Sequence, residues 1–400
     1  MFTVLVARAS THPPTMSEGS AARVAAAHDL TFLRVHCIRH GQSSNNVLMD
    51  RSAGSYSHGR TADAHLSDIG IAQARATGRM LAQAVSARST REATHVAEEP
   101  DLSMYANMSA LYCSAMLRAV HTASEITHEL ECAGARGLPP RVWVPIHEVG
   151  GIFATEPGAT PGTVQNVGVP GMSATEILAR FPHANLPQDG SLDEAGWWRC
   201  QPVETPAQGA VRMRRVLATL RAAAADLPHL TPEQRATFDV RAYWARTTPL
   251  DVGSGSASPA STAAAIVEPI ARSSELPLHA TAPAGAGFDS SSPHTESMSS
   301  SDGSAAPAPE RKPHMSMHAF RHGKGEWSSS VSVGLVCHGD ALDLLLHAVL
   351  SSPTQGVAST FLHHNCAITT LDIFPDGVIR VVRVNDVSHL LAPRLLTGGA

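Results

Sequence analysis

Short apolar runs that alternate with helical patterns constrain the fold of this chain more than any other feature. Four runs of apolar, β-branched-rich sequence are bounded by turn residues or charges, as is typical of buried strands. They are LRVHCI (33–38), ALYCS (110–114), RVWVPIHEV (141–149) and VSVGLVCHG (331–339). Strands that alternate with helices form α/β sheets. The sequence therefore predicts an α/β three-layer sandwich, with a mostly parallel central sheet and helices on both faces.

Helical patterns fill the intervals between these runs. Ser67 can cap a helix that continues through Val85, and a second helix follows Ser114. A further helix begins at the capping box formed by Ser173 and Glu176. ALDLLLHAVL predicts a helix after the last apolar run, and AITTLDIF-PDG-VIRVVRV predicts a hairpin, because Pro-Asp-Gly marks a turn between two strand patterns.

Three segments depart from the alternation. Residues 150–225 begin rich in glycine and proline, and we expect them to form an inserted cap over the C-terminal edge of the sheet. Residues 247–316 are dominated by Ser, Ala, Pro and Gly, which bury too little apolar surface to offset the entropy of ordering, so they predict a disordered insertion. Residues 1–30 predict a disordered tail or a weak targeting segment, and residues 31–400 a single domain.

Composition excludes several classes of function. The formal net charge of −5 lacks the basic bias of nucleic-acid-binding proteins, and no uncharged apolar run is long enough to cross a bilayer, so neither nucleic acid nor membrane is an expected partner. The six cysteines form no CxxC pair, which favours a reducing compartment. We expect a cytoplasmic protein, with organelle targeting as the alternative, and the oligomeric state stays open.

The first strand run is followed by a tripeptide whose side chains are suited to catalysis. Arg39, His40 and Gly41 follow it directly, at the edge where α/β sheets bind ligands. A glycine lets the backbone approach an anion closely, and an imidazole attacks phosphorus when neighbouring cations neutralise the phosphoryl oxygens. Taken alone, the tripeptide favours a chance match or a structural histidine.

Four more blocks accompany that strand and tripeptide. The five blocks in order are LRVHCIRHGQSSNN (33–46), GRTADAHLSDIGIAQA (59–74), LYCSAMLRAVHTA (111–123), IHEVGG (146–151) and VGLVCHGDAL (333–342). In this order they resemble the histidine phosphatase superfamily, also called the phosphoglycerate mutase-like family. The second block is similar to its D-x-x-L-[ST]-x-x-G-x-x-Q-A pattern, and the third to S-x-x-x-R-A-x-x-T-A. The resemblance covers most of residues 31–390, apart from the insertion and parts of the cap.

The resemblance implies roles for six residues of this chain. His40 is the implied nucleophile that becomes phosphorylated, and Glu148 the implied proton donor to the leaving group, which later serves as the base for water. The implied phosphate contacts are Arg39, Asn46, Arg118 and His338. The resemblance implies neither a metal nor another cofactor.

These implied roles agree with the chemistry of the residues. The attacking nitrogen of His40 must be unprotonated, so we expect its other nitrogen to donate to a backbone carbonyl or a similar acceptor. Arg39, Arg118 and His338 would stabilise charge on the equatorial phosphoryl oxygens. Glu148 must be protonated when substrate binds, and a nearby dianionic phosphate would raise its pKa.

Several residues keep a second interpretation. Glu156, in the following loop, competes with Glu148 as the acid, and Asn46 can cap a turn instead of contacting phosphate. We interpret Asp63 as structural, for the turn before its helix, and Ser114 as positioning the end of its strand.

A second Arg-His-Gly tripeptide, at residues 321–323, competes with the first as the signature. Ala319 and Phe320 before it do not form a buried strand run. Its histidine, His322, also precedes His338 by only sixteen residues, too few for the crossover between parallel strands that the site needs. We therefore assign the signature to His40.

The second block distinguishes two reactions within the family. Mutases that resemble this opening carry a tryptophan just before its aspartate, whereas Arg60-Thr61-Ala62 precede Asp63 here. We therefore expect hydrolysis of a phosphate monoester, with a phosphorylated small molecule or phosphoprotein as substrate. The alternatives are mutase-type phosphoryl transfer and a phosphatase-like binding module with little activity. Five arginines of the cap segment are candidates for reading a further phosphate or a carboxylate: Arg180, Arg199, Arg212, Arg214 and Arg215.

Overall fold

The computed structural model covers the predicted domain in several stretches. It describes residues 4–6, 31–51, 56, 59–91, 102–135, 137–160, 163–247, 331–351, 360–391 and 395–398. Apart from residue 247, the predicted insertion lies outside these ranges, as do the second Arg-His-Gly tripeptide and most of the predicted tail. Within them, no helix is long and apolar enough to cross a bilayer.

Seven strands form the central sheet and two more form a separate hairpin. In chain order the strands are β1 (Val4–Val6), β2 (Leu33–Arg39), β3 (Met108–Cys113), β4 (Pro140–Val142), β5 (Phe153–Pro157), β6 (Val164–Gly168), β7 (Val331–Cys337), β8 (Ile368–Ile373) and β9 (Ile379–Asp386). The sheet order is β1-β9-β8-β2-β7-β3-β4, and β5 pairs only with β6. Strands β2, β7, β3 and β4 are parallel to one another, while β8 runs antiparallel to β2 and β9 antiparallel to β8.

Helices cover both faces of this sheet. They are α1 (Ser44–Arg51), α2 (Asp68–Arg91), α3 (Leu117–Cys132), α4 (Ala174–Arg180), α5 (Pro206–Asp226), α6 (Pro232–Ala236) and α7 (Gly339–Val349). Helices α5 and α7 share a core with Val35 and Leu335, and α2 and α3 share the opposite core with Ile38 and Val336. Side chains of a strand alternate between faces, so each strand contributes to both cores. The predicted three-layer α/β sandwich is confirmed.

Local signals in the sequence also hold in the structure. The Ser67 hydroxyl accepts a hydrogen bond from the Gly70 amide at 3.1 Å, as a residue capping helix α2 should. The predicted capping box at Ser173 and Glu176 is present at the start of α4. The β8–β9 hairpin turns at Pro-Asp-Gly, where Gly377 adopts a φ of +84°.

Two predicted boundaries differ from the structure. The apolar run 141–149 forms a strand only over Pro140–Val142, because Pro145 has no amide hydrogen to donate and the chain turns into a short 3₁₀ helix. The predicted cap segment 150–225 divides in two. Its first part carries β5, β6 and α4, but α5 belongs to the sandwich, because its apolar stripe packs into the core with the sheet.

The parallel pairing of β2 with β7 positions the candidate site. Arg39, the last residue of β2, lies opposite Cys337, the last residue of β7. His40 and His338 each follow these residues directly. The two histidines therefore emerge side by side from the C-terminal edge of the sheet, where open α/β sheets bind ligands.

Candidate active site

Two buried histidines form the centre of the site. The ring centroids of His40 and His338 are 5.1 Å apart, and both side chains are almost fully shielded from solvent. Burial lowers the pKa of each imidazole well below its usual value, and the neighbouring Arg118 guanidinium lowers both further. Both rings are therefore neutral near pH 7.

Hydrogen bonds on both sides of His40 fix its tautomer. Nδ1 lies 2.7 Å from the Gly41 carbonyl oxygen, which can only accept, so Nδ1 carries the proton. Nε2 lies 3.1 Å from Nε of Arg118, which can only donate, so Nε2 presents its lone pair. This neutral tautomer is the one that a nucleophilic imidazole needs at the attacking nitrogen.

Arg118 is held in place from the loop that precedes helix α2. It is the second residue of α3, whose N-cap residue, Met116, makes no side-chain capping bond. Oδ1 of Asp63 instead accepts from the Leu117 amide at 3.0 Å and caps the helix from outside. Burial raises the pKa of Asp63 to about 6, with Arg118 acting in the opposite direction. Asp63 is thus structural, as expected, but it serves α3 rather than the turn before α2.

Arg39 lies against the start of helix α7, with its guanidinium oriented by backbone carbonyls. Nη1 donates to the carbonyl of His363 and, at 2.6 Å, to the carbonyl of Gly398. A Cβ built on Gly339 would lie 3.5 Å from Nε of Arg39, which shows how closely the guanidinium approaches this turn. That separation is an ordinary van der Waals distance, so the guanidinium packs against this turn.

Glu148 is anchored against the turn that carries His338. Its Oε1 accepts from the Val149 amide at 2.9 Å and from the Ala341 amide, in the first turn of α7, at 3.1 Å. Burial raises the pKa of Glu148 to about 7, and the negative charge of Asp340 adds to that rise, while Arg118 and Arg39 oppose it. The carboxyl group can therefore be protonated at pH values just below 7 and deprotonated at values just above it.

Several polar atoms of the site have no hydrogen-bond partner among the described residues although they are buried. These atoms are Nδ1 and Nε2 of His338 and Nε of Arg39. Buried polar groups are nearly always paired, so an unpaired group needs a specific explanation. Because Arg39 can only donate and neutral His338 has one N–H donor, an anion bound between them would satisfy both.

The two remaining candidates lie in different surroundings. Oδ1 of Asn46 accepts from the Ser43 amide at 3.0 Å and the Ser43 hydroxyl at 2.9 Å, so the amide oxygen stabilises the turn after Gly41. The amide nitrogen of Asn46 is the atom suited to donate to a phosphate. Glu156, the competing acid, is exposed on strand β5, where it pairs with Gln165. The structure therefore brings Glu148, and not Glu156, next to His338.

Most cap-segment arginines that were candidates for a second anion are engaged within the protein. Arg212 forms a two-point ion pair with Glu204 at 2.6 and 2.8 Å, and Arg199 pairs with Asp193 at 2.7 Å. Arg215 donates to two backbone carbonyls and lies over a tryptophan ring. For these three, the expected role as substrate contacts is not supported, because each guanidinium already donates to acceptors within the protein.

Sequence reasoning missed three residues that surround the site. Nδ2 of Asn365 donates to the His40 carbonyl at 3.0 Å, and Oε1 of Gln73 accepts from the Gln42 amide at 2.8 Å. The imidazole of His147 packs against two tryptophans of the cap segment and hydrogen-bonds the Glu148 carbonyl at 2.8 Å. Gln73 occupies the glutamine of the second block, and its polarity inside an apolar helical stripe was the available signal.

Comparison with known proteins gives low similarities. No family model matches the chain, and no curated protein matches it. A mycobacterial glucosyl-3-phosphoglycerate phosphatase aligns at 15% identity over 88% of this chain and 98% of its own, with a TM-score of 0.35. YhfR of Bacillus stearothermophilus aligns at 14% identity over 89% and 98%, with a TM-score of 0.34. A phosphoserine phosphatase of Entamoeba histolytica, solved with 3-phosphoglyceric acid, aligns at 13% over 90% and 100%, with a TM-score of 0.33.

These solved structures are members of the histidine phosphatase superfamily, the family that the five sequence blocks resemble. Their identities and TM-scores are too low to argue for an activity of this chain. The residues gathered around His40 are what indicate its chemistry.

Proposed function

We propose that this protein is a phosphatase of the histidine phosphatase type, which hydrolyses a phosphate monoester through a phosphohistidine at His40. One observation carries the proposal. Nε2 of His40 presents its lone pair toward Arg118, beside buried polar atoms of Arg39 and His338 that have no partner among the described residues. A neutral nucleophile next to unpaired donors fits a phosphoryl group with charge on its equatorial oxygens.

In the first step, substrate phosphate lies among Arg39, Arg118 and His338. Arg118 then exchanges its hydrogen bond to His40 for one to a phosphoryl oxygen, which frees the lone pair on Nε2. Nε2 attacks phosphorus and forms the P–N bond while the ester P–O bond breaks. The departing alkoxide takes the proton of Glu148, and the phosphohistidine remains.

In the second step, water completes the reaction. Glu148, now a carboxylate, accepts a proton from a water molecule that attacks phosphorus. The P–N bond breaks, inorganic phosphate forms, and the electron pair returns to Nε2 of His40. Glu148 is again protonated, so both residues are ready for another cycle. The raised pKa of Glu148 supports both roles, because proton affinity near neutrality suits an acid that must also act as a base.

The alternatives from the sequence make different predictions about the products. A mutase would return the phosphoryl group to an organic acceptor, whereas a phosphatase releases inorganic phosphate. A binding module with little activity would not accumulate a covalent intermediate. The set of Arg39, His40, Arg118, Glu148 and His338 in one buried cluster favours an active enzyme.

The proposal is tested by trapping the intermediate. Purified protein is mixed with an aryl phosphate, quenched within milliseconds under alkaline conditions that preserve phosphohistidine, and digested for mass spectrometry. We expect phosphate on His40 and a burst of phenol release before steady turnover. His128→Ala is the matched control, because His128 is exposed on helix α3. Turnover that proceeds without a phosphorylated His40 would contradict the mechanism.

A further inference from the structure

The 395–398 segment lies against the phosphate-binding arginine, far from it in sequence. We propose that this segment is a working part of the site, and that the carbonyl of Gly398 positions Arg39 for phosphate. The inference rests on the proposed function, since it concerns how that site binds its phosphoryl group. It assigns a role to residues outside the five sequence blocks.

Two backbone carbonyls orient the guanidinium of Arg39. Nη1 of Arg39 donates to the carbonyl of Gly398 at 2.6 Å and to the carbonyl of His363. A guanidinium is a rigid planar fork, so two acceptors on one nitrogen also fix the direction of the others. Nε, on the other side of the fork, is the buried donor without a partner among the described residues. The carbonyls therefore hold Arg39 with a donor still available to phosphate.

Hydrogen bonds from buried side chains hold the 395–398 segment in place. Nε2 of Gln73 donates to the Leu395 carbonyl at 2.6 Å and to the Thr397 hydroxyl at 2.7 Å. The Thr397 hydroxyl donates in turn to the side-chain oxygen Oδ1 of Asn365 at 3.1 Å. The backbone N–H of Asn365 donates to the Thr397 carbonyl at 3.1 Å. Gln73 and Asn365 are fully buried. A specific polar network, rather than loose surface contact, fixes the segment.

The same two residues connect the segment to the nucleophile. The Asn365 side chain donates to the His40 carbonyl at 3.0 Å, and Gln73 accepts from the amide of Gln42 at 2.8 Å. Displacing the segment would thus remove hydrogen-bond partners from Gln73 and Asn365. These two side chains also hold the backbone on either side of Gly41. Arg39 and His40 are adjacent in the chain, so their positions are coupled through this network.

The backbone of Gly398 is adapted to this position. Its φ is +73°, a conformation that side-chain-bearing residues rarely adopt. A Cβ built on it would overlap Oδ1 of Asn365 and lie 3.1 Å from Nη1 of Arg39. Substitution by alanine would therefore move the carbonyl that Arg39 contacts.

The opposite role, a segment that blocks the site, is the competing interpretation. Blocking would require the segment to take the donors that phosphate needs. The Gly398 carbonyl instead accepts from Nη1 of Arg39. The donors left without a partner among the described residues are Nε of Arg39 and the ring N–H of His338. The geometry favours positioning over blocking.

The test measures phosphate affinity directly. Thr397→Val keeps the shape of the side chain but removes the hydroxyl that links Gln73 to Asn365, and Gly398→Ala displaces the carbonyl. By calorimetry with inorganic phosphate, we expect Kd to rise about tenfold in each variant, because small misplacements of a binding group are costly. We expect KM for an aryl phosphate to rise by a similar factor, while Tm changes little. Thr397→Ser, which retains the hydroxyl, should restore both values.

Leu396→Ala is the matched control in the same segment, because Leu396 is 46% exposed and its side chain has no part in the network. Wild-type affinity in Thr397→Val and Gly398→Ala would overturn the inference, as would tighter phosphate binding with faster turnover. An equal loss in Leu396→Ala would also overturn it. If the wild-type protein binds phosphate but has no turnover, the proposed function fails, whereas the positioning role is still judged by the phosphate affinities.

Discussion

At the scale of single residues, the arginine beside the nucleophile has two successive partners. In the structure Nε of Arg118 donates to Nε2 of His40, the atom that must attack phosphorus. The bond keeps the lone pair in the reactive tautomer but also covers it. In the proposed mechanism, substrate displaces this bond, because a phosphoryl oxygen is a stronger acceptor than a neutral imidazole. Arg118 would then bind the phosphate before His40 attacks it.

Replacing Arg118 by alanine should reduce kcat about 10²–10³-fold, because the lost donor stabilises charge that develops in the transition state. Steady-state kinetics with an aryl phosphate measures this loss. Arg79→Ala is the matched control, since Arg79 is an exposed arginine paired with Glu129 on the helix surface. A loss below tenfold in kcat/KM would contradict a role for Arg118 in stabilising the transition state.

Replacing Glu148 by glutamine should affect the two steps differently. Alkyl phosphates need a proton on the leaving group, so formation of the phosphoenzyme should nearly stop; a phenolate leaves with little assistance, so aryl phosphates should still phosphorylate His40. Hydrolysis needs the carboxylate as base, and the variant should accumulate phosphohistidine in rapid-quench experiments. Glu156→Gln should behave like the wild type. Equal slowing of both substrate classes at the first step would place the acid elsewhere.

The pH dependence should follow the same residue. Burial and Asp340 raise the pKa of Glu148 to about 7, so it keeps its proton at pH values where an exposed glutamate has lost it. The protonated form is needed for poor leaving groups. The ratio of kcat/KM for an alkyl phosphate to that for an aryl phosphate should therefore stay constant below pH 7 and fall as the pH rises through it. Each kcat/KM is first expressed per substrate dianion, because an aryl phosphate loses its second proton at a lower pH than an alkyl phosphate does. A flat ratio from pH 5 to 9 would exclude Glu148 as the acid.

At the scale of secondary-structure elements, the start of helix α3 depends on a residue from another segment. Asp63 accepts from the Leu117 amide, one residue before Arg118. Asp63→Ala should destabilise the protein by about 1 kcal/mol, the usual effect of losing a helix cap, and should also lower kcat/KM because Arg118 shifts with its helix. Asp63→Asn keeps an acceptor at the same position and should be nearly normal. Urea denaturation and steady-state kinetics report the two effects; equal behaviour of both variants would contradict the capping role.

Close backbone contact explains part of the second block at this scale. A Cβ on Gly70 would lie 2.8 Å from the Gln42 amide nitrogen, so helix α2 begins directly against the loop that follows His40. The Ser67 amide also donates to the Gln42 carbonyl at 2.8 Å. Glycine is therefore required at position 70, because the two backbones lie too close together for a Cβ. This contact explains the glycine in the second block.

At the scale of the whole molecule, the sequence predicted the sandwich and the central residues but not their connections. Strands β2 and β7 were predictable because each is a short apolar run, and His40 and His338 because each follows one. The contact of Gly398 with Arg39 was not, because residues 359 positions apart that meet through a backbone carbonyl leave no local pattern. The same holds for Asn365, whose partners His40 and Thr397 lie in two segments far apart in the chain.

The predicted insertion allows a test at this scale. Residues 247–316 are dominated by Ser, Ala, Pro and Gly, so we expect the insertion to contribute nothing to the core. Thr247 is kept in the test, because its carbonyl accepts from Nε of Arg215 at 2.9 Å. Deleting residues 248–316 and closing the gap with a short Gly/Ser linker should preserve folding and basal turnover, because loop length changes stability by only about 0.6 kcal/mol per doubling. Circular dichroism and aryl phosphate turnover check this. An insoluble product would indicate that the insertion contributes an ordered unit.

The position of β7 in the sheet has a consequence for protein synthesis. Strand β7 lies between β2 and β3, although it follows β3 in the chain by more than two hundred residues and β2 by nearly three hundred. While the ribosome makes the first half, β2 and β3 have no common neighbour and expose unpaired strand edges, which favour aggregation. The four parallel strands β2, β7, β3 and β4 become contiguous only after Val331–Cys337 emerges, and His338 follows immediately. The nascent chain thus joins the parallel part of its sheet and acquires its second site histidine in the same step, before β8 and β9 are made, and a chain interrupted before that point has neither.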